Sequence, residues 1–282
     1  MPELPEVEIT ARRLSTALAG SEVESALATG VATLKTFDPP IDALEGRSIE
    51  GVGRIGKMLR VDFSGELALL IHLMSAGRLQ VFDKRASLKD RRSRVLLRIA
   101  DGRELRLREF GTKQAAWVKL LGADAVETDE ALEKLGPEAW PDPPPLAELL
   151  AAQGARPLHA VLRDQRVIAG IGRSWVDEIL WTAELSPFKK GSDLSPQEVK
   201  RLHDALPLLG EVVKTYEDTV GETVPDKMPM PLQVHRRQGE ACPRCGTTLA
   251  AVYFKDYVMT YCPQEQTGGK VLKDRRLSRL LK

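Results

Sequence analysis

Apolar residues recur at helical spacing near the start of the chain, at Val7, Ala11, Leu14 and Leu18, and predict a helix over residues 5–19. Pro5 fits its first turn, Glu6 and Glu8 suit the positive end of its dipole, and Gly20 suits its exit. The period then changes to two. Met58–Phe63 and Leu67–Leu73 flank Ser64-Gly65, and Val95–Ala100 and Arg103–Arg108 flank Asp101-Gly102, a strong hairpin signal. Leu105 and Leu107 alternate with Glu104, Arg106 and Arg108, which predicts a sheet with one face in water. Residues 1–125 therefore read as one helix feeding an antiparallel β-sandwich.

The proline-rich stretch 136–145 can continue neither a helix nor a central strand, so residues 126–145 read as a linker. A helical region follows over 146–235. Leu146–Gln153 and Pro157–Gln165 are candidate helices, Val167–Gly172 interrupts, and Arg173–Ala183 resumes. Ser195-Pro196-Gln197-Glu198 is a capping box opening a helix towards Tyr216, which Pro207 should kink or split. Residues 219–231, with three prolines and two methionines, read as a mobile loop. Residues 236–282 read as short strands carrying the cysteines. The class is α+β.

Composition narrows the possibilities without choosing among them. Hydrophobic residues make up 43% and charged residues 29% of the 282, a globular profile, and no apolar run is long enough to span a membrane. Net charge is +1, so any affinity for nucleic acid must come from local patches. Residues 84–98 carry seven basic groups against Asp90, and residues 270–282 carry six against Asp274. Such runs are often plain solvated surface. Three cysteines clustered near the C-terminus argue against a secreted disulfide framework and for the cytoplasm.

Three motifs offer chemistry. Removal of Met1 would leave Pro2 with a secondary amine titrating near about pH 8, able to attack a sugar carbon, with Glu3 beside it to move a proton. The bland reading is that Pro-Glu merely starts a helix. The turn around Gly170 and Gly172, with Arg163, Arg166 and Arg173 nearby, offers backbone N–H groups to a phosphate, or is an ordinary turn between helices. Cys242-Pro243-Arg244-Cys245, followed by sixteen residues and Cys262, is three-quarters of a zinc ribbon. Glu265 stands where the fourth ligand is expected. Zinc accepts a carboxylate, so Cys242, Cys245, Cys262 and Glu265 form the candidate metal set; a metal-free ribbon held by packing is the alternative.

Met1-Pro2-Glu3-Leu4-Pro5-Glu6-Val7-Glu8, Gly56-Lys57, His72-Leu73, Leu162–Gln165 through Gly170-Ile171-Gly172, Asp177–Leu180, Ser186-Pro187 and the cysteine spacing together resemble the formamidopyrimidine-DNA glycosylase/endonuclease VIII family, essentially end to end. The resemblance implies an N-terminal helix and β-sandwich, a helix–two-turn–helix domain and a terminal zinc ribbon. It also implies a bifunctional glycosylase with lyase activity on double-stranded DNA carrying an oxidised base or abasic site. Pro2 would form the Schiff base at C1′, Glu3 would help open the sugar, and Lys57 would contact phosphate and assist elimination. DNA contacts would come from Arg91, Arg108, Phe110, Gly170, Gly172, Arg173 and residue 257, with Met74 or Ser75 at the wedge position. A structural zinc would sit far from the chemistry, and the acting species would be a monomer.

Four residues depart from the family pattern. Glu265 replaces a cysteine, Tyr257 stands where the finger hairpin carries an arginine, and Arg173 replaces an asparagine after Gly-Ile-Gly. Glu109 stands where an arginine fills the gap left by the flipped base, and would face the estranged base. These substitutions motivate a rival reading, a non-catalytic paralogue that binds damaged or abasic DNA. A metal-binding interaction module would explain the C-terminus but not the first eight residues.

Overall fold

The computed structural model describes residues 1–30, 32–87, 89–111 and 114–272. The expected basic run at 270–282 therefore lies mostly outside the described residues. By contacts the chain divides into two compact units, Met1–Lys134 with Val213–Met228, and Leu135–Val212 with Pro229–Lys282.

In the first unit, α1 (Leu4–Leu18) precedes eight strands: β1 (Val23–Ala28), β2 (Ile49–Ile55), β3 (Met58–Phe63), β4 (Leu67–His72), β5 (Gly77–Phe82), β6 (Ser93–Ile99), β7 (Glu104–Glu109) and β8 (Trp117–Gly122). They form two four-stranded antiparallel sheets, ordered β1-β6-β7-β5 and β2-β3-β4-β8. Both expected hairpins are present, with Phe63 paired to Leu67 and Arg98 to Glu104. Val7, Ala11, Leu14 and Leu18 of α1 enter one core with Leu59, Val61, Phe63, Leu69, Ile71, Leu97, Leu105, Leu107 and Val118. Burying such side chains is worth roughly 1.5–3 kcal/mol each, which is why the two periodicities dictate the architecture.

The wet face expected on β7 is not wet. Glu104 is 0% exposed, Arg106 is buried and Arg108 is half-buried. The chain after β5 covers this face. Ala86 N donates to Glu104 Oε1 (2.8 Å), Arg106 pairs with the same carboxylate and donates to the Lys84 carbonyl, and Phe82 packs under the Arg106 guanidinium. Alternation of polar residues marked the second face correctly but carried no information about what would cover it.

The second unit holds α2 (Leu146–Ala151), α3 (Leu158–Val161), α4 (Arg173–Thr182) and α5 (Pro196–Ala205). The chain then divides at Pro207 and continues as α6 (Leu208–Thr219), whose last residues belong to the first unit. The Ser195–Glu198 capping box forms with both reciprocal bonds. α3 is shorter than the pattern suggested because the chain turns at Asp164, whose carbonyl accepts from Val167 and Ile168. After these come the hairpin of β9 (Ala250–Tyr253) and β10 (Val258–Tyr261), and α7 (Pro263–Thr267). The last element adds a helical turn where strands alone were expected, with Pro263 in its first turn and Gly268 left-handed at its exit. Among the described residues no helix is long and apolar enough to cross a membrane.

Candidate active site and nucleic-acid interface

The first unit gathers the N-terminal motif, the Gly56-Lys57 turn and the His72–Met74 turn. Met1 is 46% exposed, Pro2 is half-buried and Glu3 is 1% exposed at the mouth of α1. Glu6 fixes this end of the helix. Its Oε2 accepts from Glu3 N (2.9 Å), and its Oε1 accepts from the Tyr216 hydroxyl (2.8 Å), a partner 210 residues away. Lys57 is also buried, in the two-residue turn between β2 and β3. Arg54 ties that turn to α1, with Nε on Glu8 Oε2 (3.0 Å) and Nη1 on the Gly56 carbonyl (2.8 Å). Neither Tyr216 nor Arg54 was legible as part of this cluster from local pattern; the only signal was Glu6 after Pro5, a helix-start signature.

His72 sits across the ladder from Met58, the neighbour of Lys57. Its Nδ1 accepts from Met74 N (2.9 Å), which requires that nitrogen to be unprotonated. Burial, reinforced by the charge of Lys57, lowers its pKa from 6.5 to about 4. Met74 occupies the left-handed region at φ 49°, and Ser75, the next residue, is exposed. The turn closes at Gly77, where a Cβ would lie 2.4 Å from the Leu73 carbonyl oxygen. Because the unfolded state binds the His72 proton more readily, the fold should hold its full share of stability above pH 6.5 and lose it as pH falls towards about 4. The loss is at most about 3 kcal/mol. Thermal melts from pH 7.5 to 4 should show wild type falling more steeply than His72→Gln; parallel curves would remove His72 as the cause.

Phe110 is 38% exposed, with Arg108 4.8 Å and Arg92 5.2 Å from its ring centroid. Arg91 is exposed nearby. Glu109 does not face outward as expected. Its Oε1 accepts from Ala115 N and Ala116 N (both 2.8 Å), and its Oε2 meets Arg94 Nε (3.2 Å) at a register shift in β6. The carboxylate is thus a buried buckle for the chain after Phe110, and the cations beside the exposed ring are Arg108 and Arg92. The segment expected as a mobile loop is anchored in its first half. Gln80 Nε2 donates to the Val224 carbonyl (2.7 Å), and Arg108 Nη1 meets Asp226 Oδ1 (3.1 Å).

In the second unit, Gln165 builds the glycine turn. Its Oε1 accepts from Gly170 N (3.0 Å) and its Nε2 donates to the Ile171 carbonyl (2.8 Å). Gly170 has φ 100°, open to glycine at little cost, and Gly172 is the N-cap of α4, followed by exposed Arg173. Tyr257 lies at the tip of the β9–β10 hairpin, with Arg173 donating to the neighbouring Asp256 carbonyl (2.7 Å). Asp177 anchors this region from within. Burial opposes its charge, but bonds from His159 (3.1 Å) and His235 (2.7 Å) hold its carboxyl below the usual range, and Thr260 N adds a third (3.0 Å).

Cys242, Cys245, Cys262 and Glu265 place their ligand atoms within 4.8 Å of one another. Cys245 Sγ and Cys262 Sγ are 3.4 Å apart, close to the spacing of about 3.8 Å that tetrahedral zinc imposes on two thiolates. Burial pushes the Cys262 thiol up to about 12, so this sulfur ionises near neutrality only beside a cation. Arg244 Nη1 sits 3.1 Å from Glu265 Oε2 and 3.2 Å from Glu184 Oε1. The donor set fits a metal ion, with one carboxylate shared with an arginine.

Comparison with known proteins agrees with this geometry. Residues 1–112 match the formamidopyrimidine-DNA glycosylase N-terminal domain and residues 135–222 the formamidopyrimidine-DNA glycosylase H2TH domain. A formamidopyrimidine-DNA glycosylase of Moorella thermoacetica is 35% identical over 265 residues, 89% of this chain and 94% of that protein. The chain belongs to the formamidopyrimidine-DNA glycosylase family. The Chloroflexus aurantiacus glycosylase is 34% identical, over 93% of this chain and 96% of its own. Among solved structures, a Lactococcus lactis member in complex with abasic-site DNA superposes with a TM-score of 0.84 at 26% identity, covering 94% of this chain and 99% of that one. A MutM complex with carbocyclic 8-oxo-G containing DNA gives 0.83 at 27% identity. As a member of the family, this glycosylase is a DNA-binding protein of base excision repair.

Proposed function

We propose that the protein is a bifunctional glycosylase/AP lyase that removes an oxidised base from double-stranded DNA and nicks the strand through a Schiff base on Pro2. The observation that carries this reading is the cluster at the mouth of α1. Glu3 is buried beside Pro2, held by a fixed carboxylate, with Lys57 buried in a turn strapped to the same helix. Once Met1 is removed, the Pro2 nitrogen attacks C1′ and the base leaves with the bonding electron pair. Glu3 supplies the proton that opens the sugar. The resulting iminium acidifies C2′, and loss of that proton expels the 3′ phosphate, with Lys57 beside the departing charge.

Phosphate contacts are assigned to Lys57, Arg91, Arg173 and the Gly170–Gly172 turn, and the wedge to Met74 or Ser75 with Phe110 and Arg108; the exposure of Ser75, Arg91, Arg173 and Phe110 supports this. Cys242, Cys245, Cys262 and Glu265 would hold a structural zinc that stiffens the finger carrying Tyr257. That Pro2, Glu3 and Lys57 all come from one unit of one chain supports action as a monomer, and an odd number of cysteines gathered as candidate metal ligands supports a reducing cytoplasm.

Borohydride trapping on duplexes carrying 8-oxoguanine, formamidopyrimidine, thymine glycol, dihydrouracil or an abasic site tests the reading. A covalent complex is expected on abasic DNA and on at least one oxidised base. With neutral Tyr257 at the hairpin tip, β-elimination should dominate and leave a sugar remnant on the 3′ end. Tight binding to abasic DNA with no trapping on any substrate would establish the non-catalytic paralogue instead.

A further inference from the structure

Basic side chains of the second unit are largely matched with acids. Arg156 and Arg166 share Asp164, Lys189 pairs with Glu198, and Arg244 with Glu184. Arg163 and Arg173, like Arg236 and Lys255, stand outside that pattern. Among the described residues neither has a carboxylate partner; Arg163 donates through Nε to the His159 carbonyl (3.2 Å) and Arg173 through Nη1 to the Asp256 carbonyl (2.7 Å). Both guanidinium groups instead converge on one ring, 4.2 and 5.2 Å from the centroid of Tyr257. That ring is fixed in turn, stacked on Phe254 at 4.3 Å and 9°, and lying 5.7 Å from His159, which Asp177 holds.

Two like charges gathered at a neutral ring repel each other, and contact with the ring and one carbonyl bond each leave most of their N–H groups without a hydrogen-bond acceptor among the described residues. Their edges keep forked N–H donors of the kind that match phosphate oxygens. We propose that Arg163 and Arg173, spaced by the Tyr257 ring, form a clamp for the backbone phosphates of one DNA strand. The charge that position 257 lacks is thereby delivered from the turn after α3 and from the start of α4, and Tyr257 acts as a spacer that orients both donors. Arg163, which nothing in the family pattern singles out, is the new ligand. The inference rests on the reading of this protein as a binder of damaged DNA.

Equilibrium binding to a duplex with a tetrahydrofuran abasic analogue, measured from 50 to 200 mM salt, tests the clamp. Each lost phosphate contact should flatten the salt slope by about one. Arg163→Ala and Arg173→Ala should each do so, Tyr257→Phe should keep the wild-type slope, and Tyr257→Ala should approach the double arginine variant. Neutralising single phosphates as methylphosphonates provides an independent readout on the unaltered protein. At one position the substitution should weaken wild type yet leave Arg163→Ala unaffected. Arg163→Lys, which keeps the charge without the fork, should bind with intermediate affinity and controls for folding. An Arg163→Ala protein with the wild-type slope and methylphosphonate profile would overturn the clamp. Wild-type protein that binds abasic and intact duplexes equally would instead refute the damage-binding reading, while the slopes on intact duplex still test the clamp.

Discussion

Pro2→Gly should cut borohydride trapping on abasic DNA to a small fraction of wild type, with no comparable loss of DNA affinity. Glycine keeps a primary amine at the N-terminus, so the variant isolates the secondary amine and its fixed ring from mere availability of a nucleophile. Glu3→Gln should behave differently. An amide cannot deliver a proton to the opening sugar, and removing general acid catalysis of this kind costs roughly 10²–10⁴-fold. Base excision should fall by that order, whereas cleavage of a preformed abasic site, whose sugar opens spontaneously, should fall less. Peptide mapping of the trapped complex checks the site directly. A Pro2→Gly protein that traps as well as wild type, cross-linked through another peptide, would overturn the assignment of Pro2.

Metal removal should have the second large effect. A structural zinc held by four thiolates is worth on the order of 10–16 kcal/mol of apparent binding energy, and that energy is folding energy for a small ribbon. Here Val234, Cys242, Leu249 and Cys262 form a small core against Trp181, and Val252, Met259 and Tyr261 of the hairpin form a second with Phe188. One ligand is a carboxylate, and Arg244 sits 3.1 Å from it. A harder ligand already engaged by a guanidinium binds zinc less tightly than a thiolate. About one zinc per chain is expected, released by chelators more readily than from a four-cysteine ribbon, with DNA affinity falling as it leaves. Glu265→Cys should make the metal resist chelation, and Glu265→Ala should lower both occupancy and affinity. Metal analysis finding no zinc after expression with ample zinc, together with normal DNA affinity, would show a ribbon held by packing alone.

The α+β class, α1, both hairpins, the break at Pro207 and the candidate metal cluster were legible in the sequence because each depends on residues close together in the chain. Apolar spacing fixes which face is buried, Asp101-Gly102 suits a tight turn, proline cannot continue a helix, and Cys-x2-Cys closes a knuckle by itself. Family membership was legible for the same reason, carried by contiguous blocks such as Pro2–Glu8 and Gly170–Gly172. What the sequence left open is where polar side chains point once distant segments meet. Glu104 read as a solvent-facing residue of an alternating strand and Glu109 as a residue facing the estranged base, but the chain after β5 and the chain after Phe110 bring amide donors to them. The support for Glu3 comes from Glu6 and a tyrosine 210 residues on, and the two arginines at Tyr257 come from separate turns. A buried carboxylate takes the donors and cations that tertiary contact brings to it, and no periodicity encodes which those will be.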